Sequence, residues 1–179
     1  GEYRRQRQMC IRDRCWIGGN TLAAKAGIPD SYKETLAYLT HLSQHLGDED
    51  LRAQFIEEGN KTIDFLCDEI GIPFRVVHDY PDYYYPAVSG SKSGGRYLEV
   101  EPCTASDLGE WAERCIVTPY GHHYAYSTSQ EWVDHQSGKA SVWERLEQHV
   151  SHDERCAGAG LAAHMLKSAL DRGVECWLE

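Results

Sequence analysis

No apolar run in this sequence approaches the roughly 18 residues that a membrane-spanning helix needs. The N-terminus is basic but has no apolar stretch behind it, so no secretory signal is legible. Positive charge is scarce: 18 Lys and Arg stand against 28 Asp and Glu, for a net charge of −10. Such a surface repels phosphate backbones, which excludes nucleic acid as an expected partner. There is no C-x-x-C and no Cys/His cluster at zinc spacing. The seven cysteines (Cys10, Cys15, Cys67, Cys103, Cys115, Cys156, Cys176) are odd in number and widely spread. They suit reduced, buried thiols in a cytoplasmic protein better than a disulfide framework. No G-x-G-x-x-G and no internal repeat is found. What is present is ordinary for a globular chain: 179 residues, 41% hydrophobic and 26% charged, enough for one domain with a core.

Local pattern gives the order of elements. Residues 1–15 have neither helical nor strand period and hold five arginines (Arg4, Arg5, Arg7, Arg12, Arg14) against Glu2 and Asp13. Met9 to Arg14 resembles the translation of a sequencing adapter, so 1–15 reads as a non-native or disordered tail. Trp16-Ile17-Gly18-Gly19-Asn20 reads as a turn. Ser31-x-x-Glu34 is a capping box opening a helix with Tyr32, Leu36 and Leu39 on one face, ended by Gly47. Asp48 or Asp50 caps a second helix carrying Leu51, Phe55, Ile56, Ile63, Leu66 and Ile70, which Gly59 is expected to break or kink before Gly71 stops it. Phe74–Val77 is a strand candidate. Residues 79–110 are loop-rich, with Pro81, Pro86, Gly90, Gly94, Gly95 and Pro102. Residues 111–155 are polar and weakly periodic, and the pattern assigns them no element. Leu161–Leu170 is a helix closed by Arg172-Gly173, and Val174–Leu178 a strand. Both ends of the sequence read as cut.

Three segments, taken in order, resemble the FAD-dependent flavoproteins that include 3-ketosteroid dehydrogenases and fumarate reductases. They are Trp16 to Asn20 with Ala26-Gly27-Ile28-Pro29-Asp30-Ser31; Gly71-Ile72-Pro73-Phe74 with Tyr80-Pro81-Asp82-Tyr83 and Gly94-Gly95-Arg96; and Gly158-Ala159-Gly160-Leu161 through Val174-Glu175. The family usually has Ala where Gly160 sits. The resemblance implies an α/β protein of two domains. Residues 16–155 would be a substrate-domain (α+β cap) portion with a flavin-proximal start. Residues 156–179 would be a helix–strand returning to the Rossmann-like FAD domain. It implies FAD as cofactor, a small-molecule substrate, and cofactor-proximal roles for Trp16, Gly18, Gly19 and Asn20. The family's glycine-rich phosphate loop would lie outside this chain.

The chemistry-bearing candidates are few. Tyr80, Tyr83, Tyr84 and Tyr85 lie between prolines, and a phenol can hydrogen-bond a ketone or help remove a proton beside it. By resemblance Tyr83 matches a loop tyrosine that assists the catalytic base, and Tyr84 is a substrate-side candidate; packing is the other reading of these residues. Arg96 either binds a substrate carboxylate or holds its loop through a salt bridge. His122-His123 and His149-x-x-His152 have the look of ligand pairs, but no third ligand accompanies them, and no metal is assigned. The expected reaction is dehydrogenation of a hydrophobic, steroid-like ketone. The rivals are a dicarboxylate oxidoreductase, disfavoured because only Arg96 and Arg75 lie near the tyrosines, and a non-catalytic binding module using the tyrosine loop.

Overall fold

In the computed structural model, the structure describes residues 14–44, 46–115, 117 and 125–177. The expected tail at 1–13 and the His122-His123 pair lie outside the described residues. Chain contacts divide the described residues into two compact units. One comprises Cys15–Glu69 with Phe74–Leu98 (the N-unit), and the other Arg14 and Ile70–Pro73 with the described residues from Glu99 onward (the C-unit). The mixture of helices and small sheets agrees with the α/β expectation.

The N-unit is built around a small sheet. Strand β1 (Cys15–Trp16) runs antiparallel to the start of β3 (Tyr97–Val100), with Cys15 opposite Leu98 and Trp16 opposite Tyr97. Cys15 is therefore structured, although the pattern placed it in the tail. Strand β2 (Phe74–Val76) flanks β3 on the other side, and the Val77 amide donates to the Tyr97 carbonyl at 2.9 Å. Asn20 caps the short helix α1 (Thr21–Lys25) by accepting from the Ala23 amide at 2.7 Å.

Helix α2 (Tyr32–Leu42) starts at Ser31 as expected, with the Ser31 hydroxyl accepting from the Glu34 amide. The reciprocal half of the box differs: the Glu34 carboxylate takes the Ser31 hydroxyl, and Asp30 takes the Ser31 amide. The helix ends at Leu42, before Gly47. Its buried residues are Thr35 and Tyr38, while Tyr32 is exposed and Leu36 and Leu39 are half-buried. The face is displaced because Gly18 lies so close that a Cβ there would overlap the Thr35 side chain.

Helix α3 (Glu49–Asp68), capped by Asp48, passes through Gly59 unbroken, contrary to expectation. A Cβ at Gly59 would come within 3.2 Å of Ile17, so the bare backbone is where the helix meets the turn. One residue on, Asn60 donates to the Gly18 carbonyl at 3.0 Å. Thr21 also bonds Asp64 from the turn side. Tertiary contact here outweighs the roughly 1 kcal/mol that glycine costs inside a helix.

In the C-unit, β4 (Cys103–Thr104) pairs antiparallel with β5 (Glu154–Arg155). A 3-10 segment (Ala105–Arg114), kinked at Gly109, follows β4. Helices α4 (Ser129–Gln136), α5 (Val142–Ser151) and α6 (Ala157–Asp171) complete the unit, with α6 starting four residues earlier than the pattern indicates. Cys103, Leu108 and Ala163 form a core against which Trp111, Ala112, Cys115 and Leu166 pack. Gly160 lets α6 approach β5: a Cβ there would lie 2.6 Å from the Arg155 carbonyl oxygen. The expected strand at 174–178 is not formed over its described part, and Val174 and Trp177 are exposed. A strand exists through its ladder, and none of the described strands runs beside this one. Among the described residues no helix is long and apolar enough to cross a membrane.

Candidate active site

The tyrosine loop of the N-unit is organised from its base. Asp82 is buried, and its carboxylate collects three donors: Trp16 Nε1 on Oδ1 at 2.7 Å, and Arg96 Nη1 (2.7 Å) and the Lys92 amide (2.8 Å) on Oδ2. The Asp82 amide returns a bond to the Lys92 carbonyl at 2.8 Å, and the Tyr85 amide donates to the Asp82 carbonyl at 2.9 Å. The loop is thus pinned at both ends of Asp82. The next residue, Tyr83, emerges with 84% of its surface exposed, its ring edge-on to Tyr84 at 5.2 Å. Tyr84 and Tyr85 are also exposed, whereas Tyr80 stacks edge-on against Tyr97.

Arg96 is the centre of this arrangement and is only 1% exposed. Its Nε and Nη2 grip the two oxygens of Asp30 at 2.7 and 2.8 Å, while Nη1 reaches Asp82. The guanidinium also lies 5.4 Å from the Trp16 ring centre and 5.5 Å from that of Tyr38. Burial opposes charge on Asp30, but hydrogen bonds from Arg96 and the backbone of Gly19 and Ser31 outweigh it and hold the carboxyl below its ordinary range. Likewise burial works against the Arg96 cation, and Asp30 and Asp82 more than restore it. Burial raises the pKa of Tyr38, partly offset by hydrogen bonds from the backbone of Tyr84 and Tyr83.

Of the two readings left open for Arg96, the structure has the salt bridge that holds the loop. A substrate carboxylate would have to displace Asp30 or Asp82. The other sequence candidates are gathered in the same unit. Trp16 is half-buried, with its indole N–H on Asp82. The Asn20 side chain is fully used, donating to the carbonyls of Ile17 and Gly95 and accepting from Ala23. Gly18 is buried beneath Thr35, and the Gly19 amide donates to Asp30 at 2.8 Å. Asp30, Asp82 and Tyr38 were given no role from the sequence, although Asp30 and Asp82 lie in the segments that carry the resemblance.

A flavin can be tested against this turn. Gly19 is exposed, and the nearest atom to an added Cβ there lies 3.9 Å away, so side-chain-free backbone is available to a flat ring. Among the described residues there is no glycine-rich phosphate cradle. The turn thus leaves room beside Gly19, and the described residues offer nothing that would hold the phosphates. No group of three or more His, Cys, Asp or Glu among the described residues is arranged to hold a metal ion.

No protein-family model matches the chain. It is 30% identical over 165 residues to a 4-oxocyclohexanecarboxylate 2-dehydrogenase of Sinomonas cyclohexanicum, covering 92% of this chain and 28% of that protein. It is 32% identical over 93 residues to a 3-oxosteroid 1-dehydrogenase of Comamonas testosteroni, covering 52% of this chain and 16% of that protein. Among solved structures, the 3-ketosteroid delta1-dehydrogenase of Sterolibacterium denitrificans, in complex with 1,4-androstadiene-3,17-dione, matches 93% of this chain and 32% of its own with a TM-score of 0.78 at 22% identity. The chain thus spans less than a third of each relative. In sequence and in fold it is related to a segment of the ketone dehydrogenases that act on 3-oxosteroids and 4-oxocyclohexanecarboxylate.

Proposed function

We propose that this chain is part of an FAD-dependent dehydrogenase that introduces a double bond beside a ring ketone. The observation that carries the reading is the relationship over 92% of the chain to a dehydrogenase of a cyclic ketone. The names of the two sequence relatives share a feature: each places the dehydrogenated carbon two ring positions from the oxo carbon, 1 against 3 and 2 against 4. A carbon in that position loses hydride readily once the neighbouring carbon, acidified by the ketone, gives up its proton. FAD, when bound, supplies the hydride acceptor.

The chain's own contribution is to the proton. Tyr83 presents its phenol to solvent from a backbone fixed at Asp82, a geometry suited to relaying the proton taken from the carbon next to the ketone. Tyr84, edge-on to Tyr83, offers an aromatic wall for an apolar ring. Trp16, Gly18, Gly19 and Asn20 form the turn against which the flavin ring would lie. Arg96, being enclosed, is placed behind the loop and not on the substrate.

The test uses the full-length protein that carries this chain, loaded with FAD. A 3-oxosteroid and 4-oxocyclohexanecarboxylate are supplied with an artificial electron acceptor, with fumarate as the contrast. The expected result is oxidation of at least one ketone, no fumarate reduction, and a fall of about 100-fold or more in kcat for Tyr83→Phe, in the range of general acid–base effects. An unaltered kcat in Tyr83→Phe would remove the phenol from the mechanism. Turnover of fumarate alone would replace the ketone reading with the dicarboxylate one.

A further inference from the structure

Resting on the function proposed above, the geometry points to Arg96 as a positioning residue: one guanidinium ties the Trp16–Asn20 turn to the base of the Tyr83 loop. The two arms are separate. Through Asp30 Oδ2 the guanidinium reaches the Gly19 amide, because that oxygen accepts both Arg96 Nε (2.7 Å) and Gly19 N (2.8 Å). Through Asp82 Oδ2 it reaches the residue that precedes Tyr83. A third connection closes the ring: Trp16, at the start of the turn, donates to the other Asp82 oxygen at 2.7 Å. Turn and loop are far apart in sequence, with Asp30 and Arg96 66 residues apart. Backbone pairing of β1 with β3 and the Asn20 bond to the Gly95 carbonyl bring the turn beside residues 95–98, and the buried cluster is what carries that tie on to Asp82 and the base of the Tyr83 loop.

The shape of the cation is what allows both arms at once. A guanidinium has donors on fixed vectors and can hold Asp30 with one edge while Nη1 points elsewhere. A lysine ammonium is a point charge on a flexible stem and cannot span both carboxylates with that geometry. Trp16 and Tyr38 against the guanidinium further restrict its plane. Arg96 therefore affects turnover through Tyr83 and the turn without touching substrate.

The deciding experiment compares wild type and Arg96→Lys in the full-length, FAD-loaded protein. A fluorotyrosine is placed at position 83 and read by fluorine NMR, alongside kcat and KM for the cyclic ketone. The expected result is one narrow signal in wild type and a broadened or divided one in Arg96→Lys. With it, kcat falls about 10- to 100-fold, as a misplacement near 1 Å produces, while KM moves by less than about threefold because uniform binding is kept. An unchanged fluorine signal overturns the inference, and so does a rise in KM with kcat intact, which would mean that Arg96 binds substrate. If Arg96→Lys does not fold by near-UV circular dichroism, Asp82→Asn takes its place. That variant keeps the side-chain shape but sets an amide against one of the donors, and the same signal decides. If wild type oxidises neither ketone, the functional reading has failed, while the fluorine signal still determines whether Arg96 orders the loop.

Discussion

Each unit buries a cation among carboxylates, but the two use different cations. In the N-unit it is Arg96, held by Asp30 and Asp82. In the C-unit it is His149, 8% exposed, with Nδ1 2.6 Å from Glu154 and Nε2 2.8 Å from Glu131. Hydrogen bonds with Cys156 and Glu131, against the opposing effect of burial, and with Glu154 push the His149 pKa up to about 11. A guanidinium keeps its charge at every working pH, whereas an imidazole keeps its charge only while its partners hold it. The N-unit is thus fastened by a fixed charge beside its exposed tyrosines, whereas the C-unit, besides its own buried guanidinium of Arg155 on Asp153, is fastened by one that pH can remove.

Arg96→Ala tests the comparison most severely. It leaves Asp30 and Asp82 enclosed without their cation, and breaking a buried pair from one side costs about 3–5 kcal/mol. Hydrogen exchange over α2 and the tyrosine loop, read against C-unit peptides in the same sample, is expected to show the loss confined to the N-unit. Equal loss of protection in both units would mean that the clusters are not independent.

Next in size is the pH response. His149 has its folded pKa raised above the ordinary value of 6.5, so its contribution is complete below that pH and declines as pH rises toward about 11. Glu131 has its pKa lowered: burial opposes charge, but hydrogen bonds from His149 and Thr128 prevail, so its contribution is present above the ordinary value of 4.5 and is lost as pH falls below it. C-unit exchange protection is therefore expected to be highest between those limits and to weaken from pH 7 to 10, a slope that His149→Leu should reduce, the thiols of Cys103, Cys115 and Cys156, raised by burial, keeping the remainder near the alkaline end. N-unit protection should show less slope over the same interval, because Arg96 does not titrate there. A parallel decline in both units would remove the distinction.

A third test concerns packing. Gly160→Ala places a methyl 2.6 Å from the Arg155 carbonyl, and overpacking of this kind costs about 1–3 kcal/mol. The expected readout is a lower Tm, with faster exchange in α6 and β5. A neutral result would mean that α6 can move away from β5 at little cost.

What was legible in the sequence follows the range of the forces involved. The start of α2 was readable because Ser31 and Glu34 are three residues apart, and Asp48 marked α3 for the same local reason. The unbroken helix through Gly59 was not, because Ile17 and Gly18, which meet it, are some forty residues away. Helix α4 escaped detection because it has no buried residue and hence no apolar period, although Thr128-x-x-Glu131 was there to be read. At the site, the prolines around the tyrosines announced an exposed loop. The Asp30–Arg96–Asp82 cluster joins residues that only the fold brings together, so from the sequence Arg96 had two readings, a ligand for substrate or a strut.

The smallest effect separates a cap that stands alone from one wired into a cluster. The Thr128 hydroxyl accepts from the Glu131 amide, and the Thr128 amide donates in return to Glu131 Oε2, while Oε1 holds His149. Ser31 caps α2 at the surface, and its partner Glu34 has a second engagement with Lys92 that does not need the serine. Losing a cap typically costs about 0.5–2 kcal/mol. Ser31→Ala should fall near the low end, since water replaces the hydroxyl and the Lys92 pair remains. Thr128→Ala should fall near the high end, because the hydroxyl is buried and also hydrogen-bonds the Glu131 carboxylate that holds His149, although the Thr128 amide keeps its own bond to Oε2. The difference should also be pH-dependent, shrinking from pH 7 to 10 as the imidazolium that rewards a well-placed Glu131 is lost. Equal costs at all pH values, by urea denaturation of each variant, would show that the C-unit cap and the His149 cluster act separately.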